Sequence, residues 1–206
     1  MQLYYNPMSV NARRVMLAAA HLNAPLDMRL ITNMREPEQR AALLAVNPNA
    51  KVPVLVDGDF VLWESGAIIQ YLAEKTPGQT VYPTDLQTRM DIHRWMFWNA
   101  QHWAPPIGLF NWENNIKRWL GMGGPDAQVL ARAEEELLRF ARVLDDHLAG
   151  RQWVVGDALS LADFTLAAPL WSLEQAKLPV RDFANLMAWF ERVRALPAWQ
   201  AIEAKA

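Results

Sequence analysis

Thirty residues, Val46 to Lys75 (VNPNAKVPVLVDGDFVLWESGAIIQYLAEK), restrict the possible folds of this chain more than any other stretch. Lys51 to Val56 is rich in β-formers, but Pro53 has no N–H to donate. It must open an edge strand or lie just outside one. Asp57-Gly58 between two apolar runs is a short-range hairpin signal, and Phe60 to Trp63 supply the returning strand. Beyond Glu64, the residues Ile68, Ile69, Tyr71 and Leu72 recur at helical spacing, with Ser65 placed to cap that helix. The order is loop, strand, turn, strand, loop and helix.

A helix start offers unpaired N–H groups and the positive end of a dipole, so Ser65 and its neighbours suit a carboxylate. Glu64 suits an ammonium group beside it. The backbone of Val52 next to Pro53 is an edge with which a short peptide can pair. Together these features describe a site for a small peptide that ends in an α-amino acid. The competing reading is a hairpin packed on a capped helix that binds nothing.

The segments NPNAKVPVL, DG and ESGAIIQYLAEK, in that order, resemble the glutathione-binding half of the cytosolic glutathione transferase family, and the resemblance extends over essentially the whole chain. It implies that Val52 pairs with the cysteinyl backbone of glutathione, that Pro53 is cis, and that Glu64 and Ser65 hold the γ-glutamyl end.

Composition narrows the remaining classes. The chain has 206 residues, enough for one large or two modest domains, and a formal net charge of −2 offers no basic field for nucleic acid. It contains no cysteine, which excludes disulfides and thiolate metal sites and requires any reacting thiol to come with a substrate. No apolar run reaches membrane-spanning length, and the chain opens on a strand-like LYY rather than a basic, apolar leader, so a cytoplasmic protein is expected.

Taken in order, Gln2 to Tyr5 reads as a strand, Ser9 to His21 as a helix and Leu26 to Ile31 as a second strand, a parallel βαβ unit. A helix over Arg40 to Val46, the hairpin and the helix from Ser65 complete βαβαββα, the order of a thioredoxin-like domain. Its site should lie where the first strand meets the first helix, close to the Pro53 loop. Ser9 is an N-cap candidate there. Its hydroxyl, placed beside a helix N-terminus, suits a thiolate, because both favour the anion.

YYNPMSVNARRVMLAA resembles the serine-type transferases, in which a serine of an S-x-N-x-R/K-V pattern contacts the glutathione sulfur. That makes Ser9 the first candidate. Some bacterial relatives rely on the Asn two positions on, which keeps Asn11 open, and Tyr5 is a third candidate because other members use a tyrosine at the end of this strand. For the glycyl carboxylate the resemblance points to Gln39, with Arg35 or Arg40 as rivals, and Lys51 can serve as a point charge.

The reading divides the chain into residues 1–78, a thioredoxin-like glutathione-binding domain, a linker over 79–85, and an all-helical substrate-binding domain over 86–206. Helices are expected over Asp85 to Trp103, Ile107 to Trp119, Asp126 to Leu148 with Pro125 at its first position, a stretch after Ser160, Phe183 to Ala195 and Ala198 to Ala204. Ser160 and Asp163 read as a capping-box pair, and GDALSLADFTLAAPL resembles the buried capping motif of transferase C-terminal domains, which makes Asp163 a folding residue.

Ten tryptophans exceed what one small bundle core holds, so some are expected to line an open apolar pocket. The pocket set is Phe110, Trp112, Met122 and Trp171 with Met8. Asn99 and His102 lie on the first C-terminal helix, where relatives contact glutathione across the dimer.

The expected protein is an α/β plus all-α homodimeric glutathione transferase. Glutathione is its co-substrate, a small hydrophobic electrophile its acceptor, and it uses no metal, nucleic acid or membrane. Two alternatives stay open: a glutathione-dependent disulfide or peroxide reductase without an enzyme cysteine, and a non-catalytic module that keeps the fold.

Overall fold

The computed structural model describes residues 1–33 and 36–204. The chain forms two compact units, one of residues 1–82 with 196–206 and one of residues 83–195.

The first unit is built on a four-stranded sheet in the order β2-β1-β3-β4. β1 (Gln2–Tyr5) runs parallel to β2 (Asp27–Leu30) and antiparallel to β3 (Val54–Asp57), which pairs antiparallel with β4 (Phe60–Trp63). α1 (Val10–Leu22) links the parallel strands, as a parallel pair requires. α2 (Pro37–Val46) and α3 (Ser65–Glu74) follow. Strand alternation separates the two faces. Tyr4 and Val54 meet Ile31, Leu43, Val46 and Val52 in a core beneath α2. Leu3 and Leu55 point the other way, where α1 and α3 pack together; Val15 and Leu17 of α1 and Ile68 and Leu72 of α3 are fully buried.

Three boundaries differ from the sequence reading for local reasons. The helix expected over Arg40 to Val46 starts three residues earlier, at Pro37, where a missing N–H costs nothing. Glu64 rather than Ser65 is the N-cap of α3, so Ser65 lies inside the first turn. α10 (Pro197–Glu203), counted with the helical bundle in the sequence reading, packs on α1 in the first unit and buries Ala198, Trp199 and Ile202.

In the second unit the two helices expected over 85–119 run on without a break. α4 (Leu86–Trp98), α5 (Ala104–Asn111) and α6 (Lys117–Trp119) are joined by wide π-helical turns over Asn99–Trp103 and Trp112–Ile116. Pro105 and Pro106 lack the N–H that an α-helix uses, and a proline ring crowds the carbonyl four residues back. Widening the turn relieves that crowding: the N–H of Ala104 reaches five residues back to the Asn99 carbonyl.

α7 (Ala127–Leu148) is capped by Asp126, whose Oδ1 accepts from the N–H groups of Gln128 at 2.8 Å and Val129 at 3.2 Å. Pro125 therefore precedes the cap instead of opening the helix. α8 (Leu161–Ala167), a 3-10 turn over Ala168–Ser172 and α9 (Ala184–Arg194) complete the unit. Its core holds Trp103, whose indole N–H donates to the Leu166 carbonyl at 3.0 Å, together with Phe164, Trp189 and Phe190.

Asp163 lies at the centre of this unit. It is fully buried, and its Oδ2 accepts from the Ser160 N–H (2.8 Å) and hydroxyl (3.0 Å). Its Oδ1 accepts from the Val154 N–H (3.0 Å) and the Trp189 indole N–H (2.8 Å). The capping box expected from the sequence is present and also ties α8 to α9. Among the described residues no helix is long and apolar enough to cross a membrane, and no group of three or more His, Asp or Glu is placed to hold a metal ion.

Candidate functional site

Strand register brings the candidate residues of the first unit to one end of the sheet. Val54 opens β3 and lies between Tyr4, near the end of β1, and Trp63, the last residue of β4. The segments just beyond that row are Asn6 to Ser9, Val52-Pro53 and Glu64-Ser65. β2 ends on the same side, since Leu30 pairs with Tyr5.

Asn6 builds the turn into α1. Its side-chain N–H donates to the Ile31 carbonyl at 2.8 Å, its Oδ1 accepts from the Met8 N–H at 2.8 Å, and its carbonyl accepts from the Ser9 N–H at 3.0 Å. The Arg13 Nε holds the Pro7 carbonyl from behind at 2.6 Å. Ser9 is the N-cap of α1 as expected, with Oγ accepting from the Ala12 N–H at 3.3 Å. The Ser9 hydroxyl proton has no acceptor among the described residues, and the residue is half-buried, so a ligand atom can take that proton.

The Val52-Pro53 peptide bond is cis. Neither Val52 nor Pro53 joins the ladder that begins at Val54, which leaves the Val52 backbone outside the sheet. The loop before it is held by Asn47, which is buried. The Asn47 Nδ2 donates to the Lys51 carbonyl at 2.9 Å, and Oδ1 accepts from the Asn49 N–H at 3.0 Å.

Glu64 adopts φ 72°, a left-handed backbone that costs a non-glycine residue on the order of 1 kcal/mol or more. Its carboxylate is exposed and has no hydrogen bond or ion pair among the described residues. Ser65 is buried and its Oγ accepts a 2.6 Å hydrogen bond from the Arg14 Nη1. The same Nη1 donates to the Asn11 Oδ1 at 3.0 Å. Arg14 is 5 % exposed, and its Nε and Nη2 have no partner among the described residues. Burial pushes its guanidinium down to about 10, opposed by the charge of Glu64, so it remains a cation at neutral pH.

The structure thus brings Ser9, Asn11, Val52, Pro53, Glu64 and Ser65 to one end of the sheet and joins Asn11 to Ser65 through Arg14. Gln39, the candidate for the glycyl carboxylate, lies at the start of α2. Its Oε1 accepts from the Thr32 (2.8 Å) and Asn33 (3.1 Å) N–H groups and its Nε2 donates to Glu36 at 2.6 Å, so both ends of the amide pin the β2–α2 loop. Lys51 and Arg40 are exposed, Arg35 lies outside the described residues, and Tyr5 closes β1 half-buried. Of the apolar set, Met8 in the first unit is 64 % exposed. In the second unit Phe110 is core at 5 % exposure, Trp112 and Trp171 are half-buried, and Met122 is exposed. His102 is exposed and Asn99 buried.

The sequence reading missed Asn6, Asn47 and Arg14. Arg14 had a signal: it occupies the helical face of Val10, Leu17 and Ala18, the face that an amphipathic helix turns inward.

A cis-proline edge, a capped helix carrying a hydroxyl, and a second helix start with a carboxylate beside it lie together at one end of a thioredoxin-like sheet, an arrangement whose chemistry suits a small peptide. Comparison with known proteins shows the family. Residues 3–80 match the N-terminal domain of glutathione S-transferases and residues 86–197 match the C-terminal domain. Rat glutathione S-transferase theta-2 is 32 % identical over 95 % of this chain and 81 % of its own length. Glutathione S-transferase F10 of Arabidopsis thaliana is 29 % identical over 98 % of this chain and 95 % of its own length. The solved structure of glutathione S-transferase I bound to lactoylglutathione superposes with a TM-score of 0.89, 26 % identity, and coverage of 100 % of this chain and 99 % of that one. The chain belongs to the glutathione S-transferase family.

Proposed function

We propose that this protein is a serine-type glutathione transferase that joins the glutathione sulfur to small hydrophobic electrophiles. The cysteinyl backbone pairs with Val52 beside cis Pro53, and the γ-glutamyl ammonium and carboxylate meet Glu64 and Ser65. The sulfur lies at Ser9, whose proton is directed to it while the start of α1 adds a positive dipole end. Both favour the thiolate, and the thiol proton leaves to solvent. The thiolate then attacks an electrophilic carbon: a carbon–sulfur bond forms, and either a leaving group departs with its electron pair or the adduct takes up a proton. The protein supplies position and a charged environment, and the nucleophile belongs to glutathione.

The observation that carries this reading is the Ser9 hydroxyl. It is fixed at the start of α1 by the Asn6 turn, with its proton unclaimed, at the same end of the sheet as cis Pro53 and Ser65. An acceptor of small hydrophobic class is supported by the half-buried Trp112 and Trp171 and the exposed Met122 of the helical unit. A homodimer is supported by large apolar side chains left exposed in each unit, Phe60 and Trp63 on β4 and Leu86 and Phe97 on α4. A cytoplasmic location is part of the same proposal.

The test is the ultraviolet thiolate absorbance of glutathione titrated with pH, with and without protein. The protein has no thiol of its own. Bound glutathione should ionise about two pKa units below free glutathione, a preference of about 2.7 kcal/mol, and Ser9→Ala should remove most of that shift. No shift in the wild type would refute the transferase reading. A shift that survives Ser9→Ala would move the sulfur contact to Asn11.

A further inference from the structure

We infer that Arg14 is a positioning residue of the glutathione site: one buried guanidinium nitrogen turns Ser65 outward as a hydroxyl donor and Asn11 outward as an amide donor, and sets an unpaired cation behind the γ-glutamyl carboxylate. The inference rests on the glutathione reading above and extends it to a side chain with no direct role in that reading.

Hydrogen-bond chemistry leads to this conclusion. The Arg14 Nη1 carries two hydrogens and uses both, one on the Ser65 Oγ at 2.6 Å and one on the Asn11 Oδ1 at 3.0 Å. Arginine cannot accept, so the Ser65 oxygen is the acceptor in this pair and its own proton must point elsewhere. Ser65 is buried at the start of α3, where an anion is favoured by the first-turn N–H groups. A hydroxyl that already accepts from a cation is polarised to donate, so Ser65 is prepared for a carboxylate rather than for a donor. The same logic orients Asn11. With its oxygen held by Arg14, the NH2 group of this exposed residue is the part left to donate to a ligand.

Charge gives the second part of the inference. A guanidinium 95 % buried would ordinarily sit against a carboxylate, because a lone buried ion is costly. Arg14 has no ion pair among the described residues, and its Nε and Nη2 have no hydrogen-bond acceptor there. Glu64 acts on it only through its field. The empty half of this charge pair is what an anionic ligand group at Ser65 fills. A purely structural arginine would have that partner within the protein.

The test compares two ligands that differ in one carboxylate. Glutathione and its analogue with 4-aminobutyryl in place of γ-glutamyl share every other group, including the amine. Calorimetric titration of the wild type should show glutathione bound at least tenfold more tightly than the analogue, the range of one charge-assisted hydrogen bond. In Arg14→Gln that ratio should fall to about one, through loss of glutathione affinity while analogue affinity holds. In a Ser65→Ala background the same change should cost much less, because Ser65 is the group through which Arg14 acts.

A ratio that stays within twofold of wild type in folded Arg14→Gln overturns the inference and leaves the glutathione reading standing. Failure of the wild type to bind glutathione at all overturns the reading itself. Where Arg14→Gln does not fold, Arg14→Lys takes its place. A single ammonium keeps the charge but cannot span both oxygens from a planar head, and the ratio should still fall severalfold. An unchanged ratio there, or failure of both variants to fold, assigns Arg14 to the scaffold and overturns the inference.

Discussion

Replacing Asp163 by alanine separates folding from chemistry in this protein. Asp163 is fully buried in the helical unit and accepts four hydrogen bonds, from the Ser160 N–H and hydroxyl, the Val154 N–H and the Trp189 indole. The Ser160 hydroxyl can rotate to a new partner, but the three N–H groups are fixed by backbone or packing. Each buried donor left without an acceptor costs about 1 to 3 kcal/mol. Removing the carboxyl returns part of its own burial cost, which is large enough to push its pKa up despite the four donors. The net expectation is a loss of about 3 to 5 kcal/mol. For a chain of this size that lowers Tm by roughly 10 °C. Asp163→Asn should fall between the two, since its oxygen still serves Val154 and Trp189 while its NH2 group opposes the Ser160 N–H. Thermal unfolding followed by far- and near-ultraviolet circular dichroism reads the stability, and activity is measured below the transition on folded protein.

The pH dependence of the same comparison has a definite sign. Burial raises the carboxyl pKa above its unfolded value, so the folded state binds the proton more readily and its stability relative to the alanine variant rises as pH falls. The gap between wild type and Asp163→Ala should therefore hold or widen from pH 7 toward pH 4. A loss below about 1 kcal/mol would refute the hydrogen-bond argument. Loss of activity in fully folded Asp163→Ala would refute the assignment of this residue to folding.

Two further substitutions test other parts of the molecule. Glu113 is buried on the second π-helical turn, where Lys117 at 2.7 Å and the Asp126 N–H at 2.7 Å hold its carboxyl below the usual range. Its contribution is present above the unfolded value near 4.5 and fades as pH falls through the lower folded value, so the stability gap between wild type and Glu113→Gln should be full at pH 7 and shrink below pH 4.5. A gap that grows on acidification would contradict that. Glu64→Gly relieves the positive φ of the α3 cap and should leave stability unchanged or raised by about 1 kcal/mol, yet weaken glutathione binding measured by calorimetry at least tenfold. A variant that is destabilised but binds normally would place Glu64 in the scaffold instead of the site.

Much of the architecture was readable from local signals. Asp57-Gly58, the apolar spacing after Ser65 and the strand-helix-strand pattern at the N-terminus each belong to one element, and the structure shows βαβαββα followed by helices. The misreadings occurred where a local rule has a positional exception. Pro37 breaks a helix interior but opens a helix well, so α2 starts three residues earlier than expected. The expected helices stop at Trp103 and resume at Ile107, on either side of Pro105 and Pro106, yet a π-helical turn carries the chain past them. The candidate site divides along the same line. Ser9, Val52, Pro53, Glu64 and Ser65 carry turn, proline or cap signals that are local, whereas Gln39 carries none and rests on the resemblance alone; in the structure its amide pins the β2–α2 loop.

The sequence alone determined which segments are strands and helices, that any thiol must arrive with a ligand, and which residues stand at the helix starts. Only the tertiary structure decided how those starts relate. Pairing of Val54 with Tyr4 and Trp63 brings three separate loops to one end of the sheet. Packing of α1 against α3 joins Arg14 to Ser65 across fifty-one positions of sequence, and packing of α8 against α9 gives Asp163 its bond from Trp189. The physical reason is range. Helical periodicity, turn chemistry and capping act over a few neighbouring residues and are written in the local sequence. A buried polar side chain must find its partner wherever packing delivers one, and that partner is set by the whole fold.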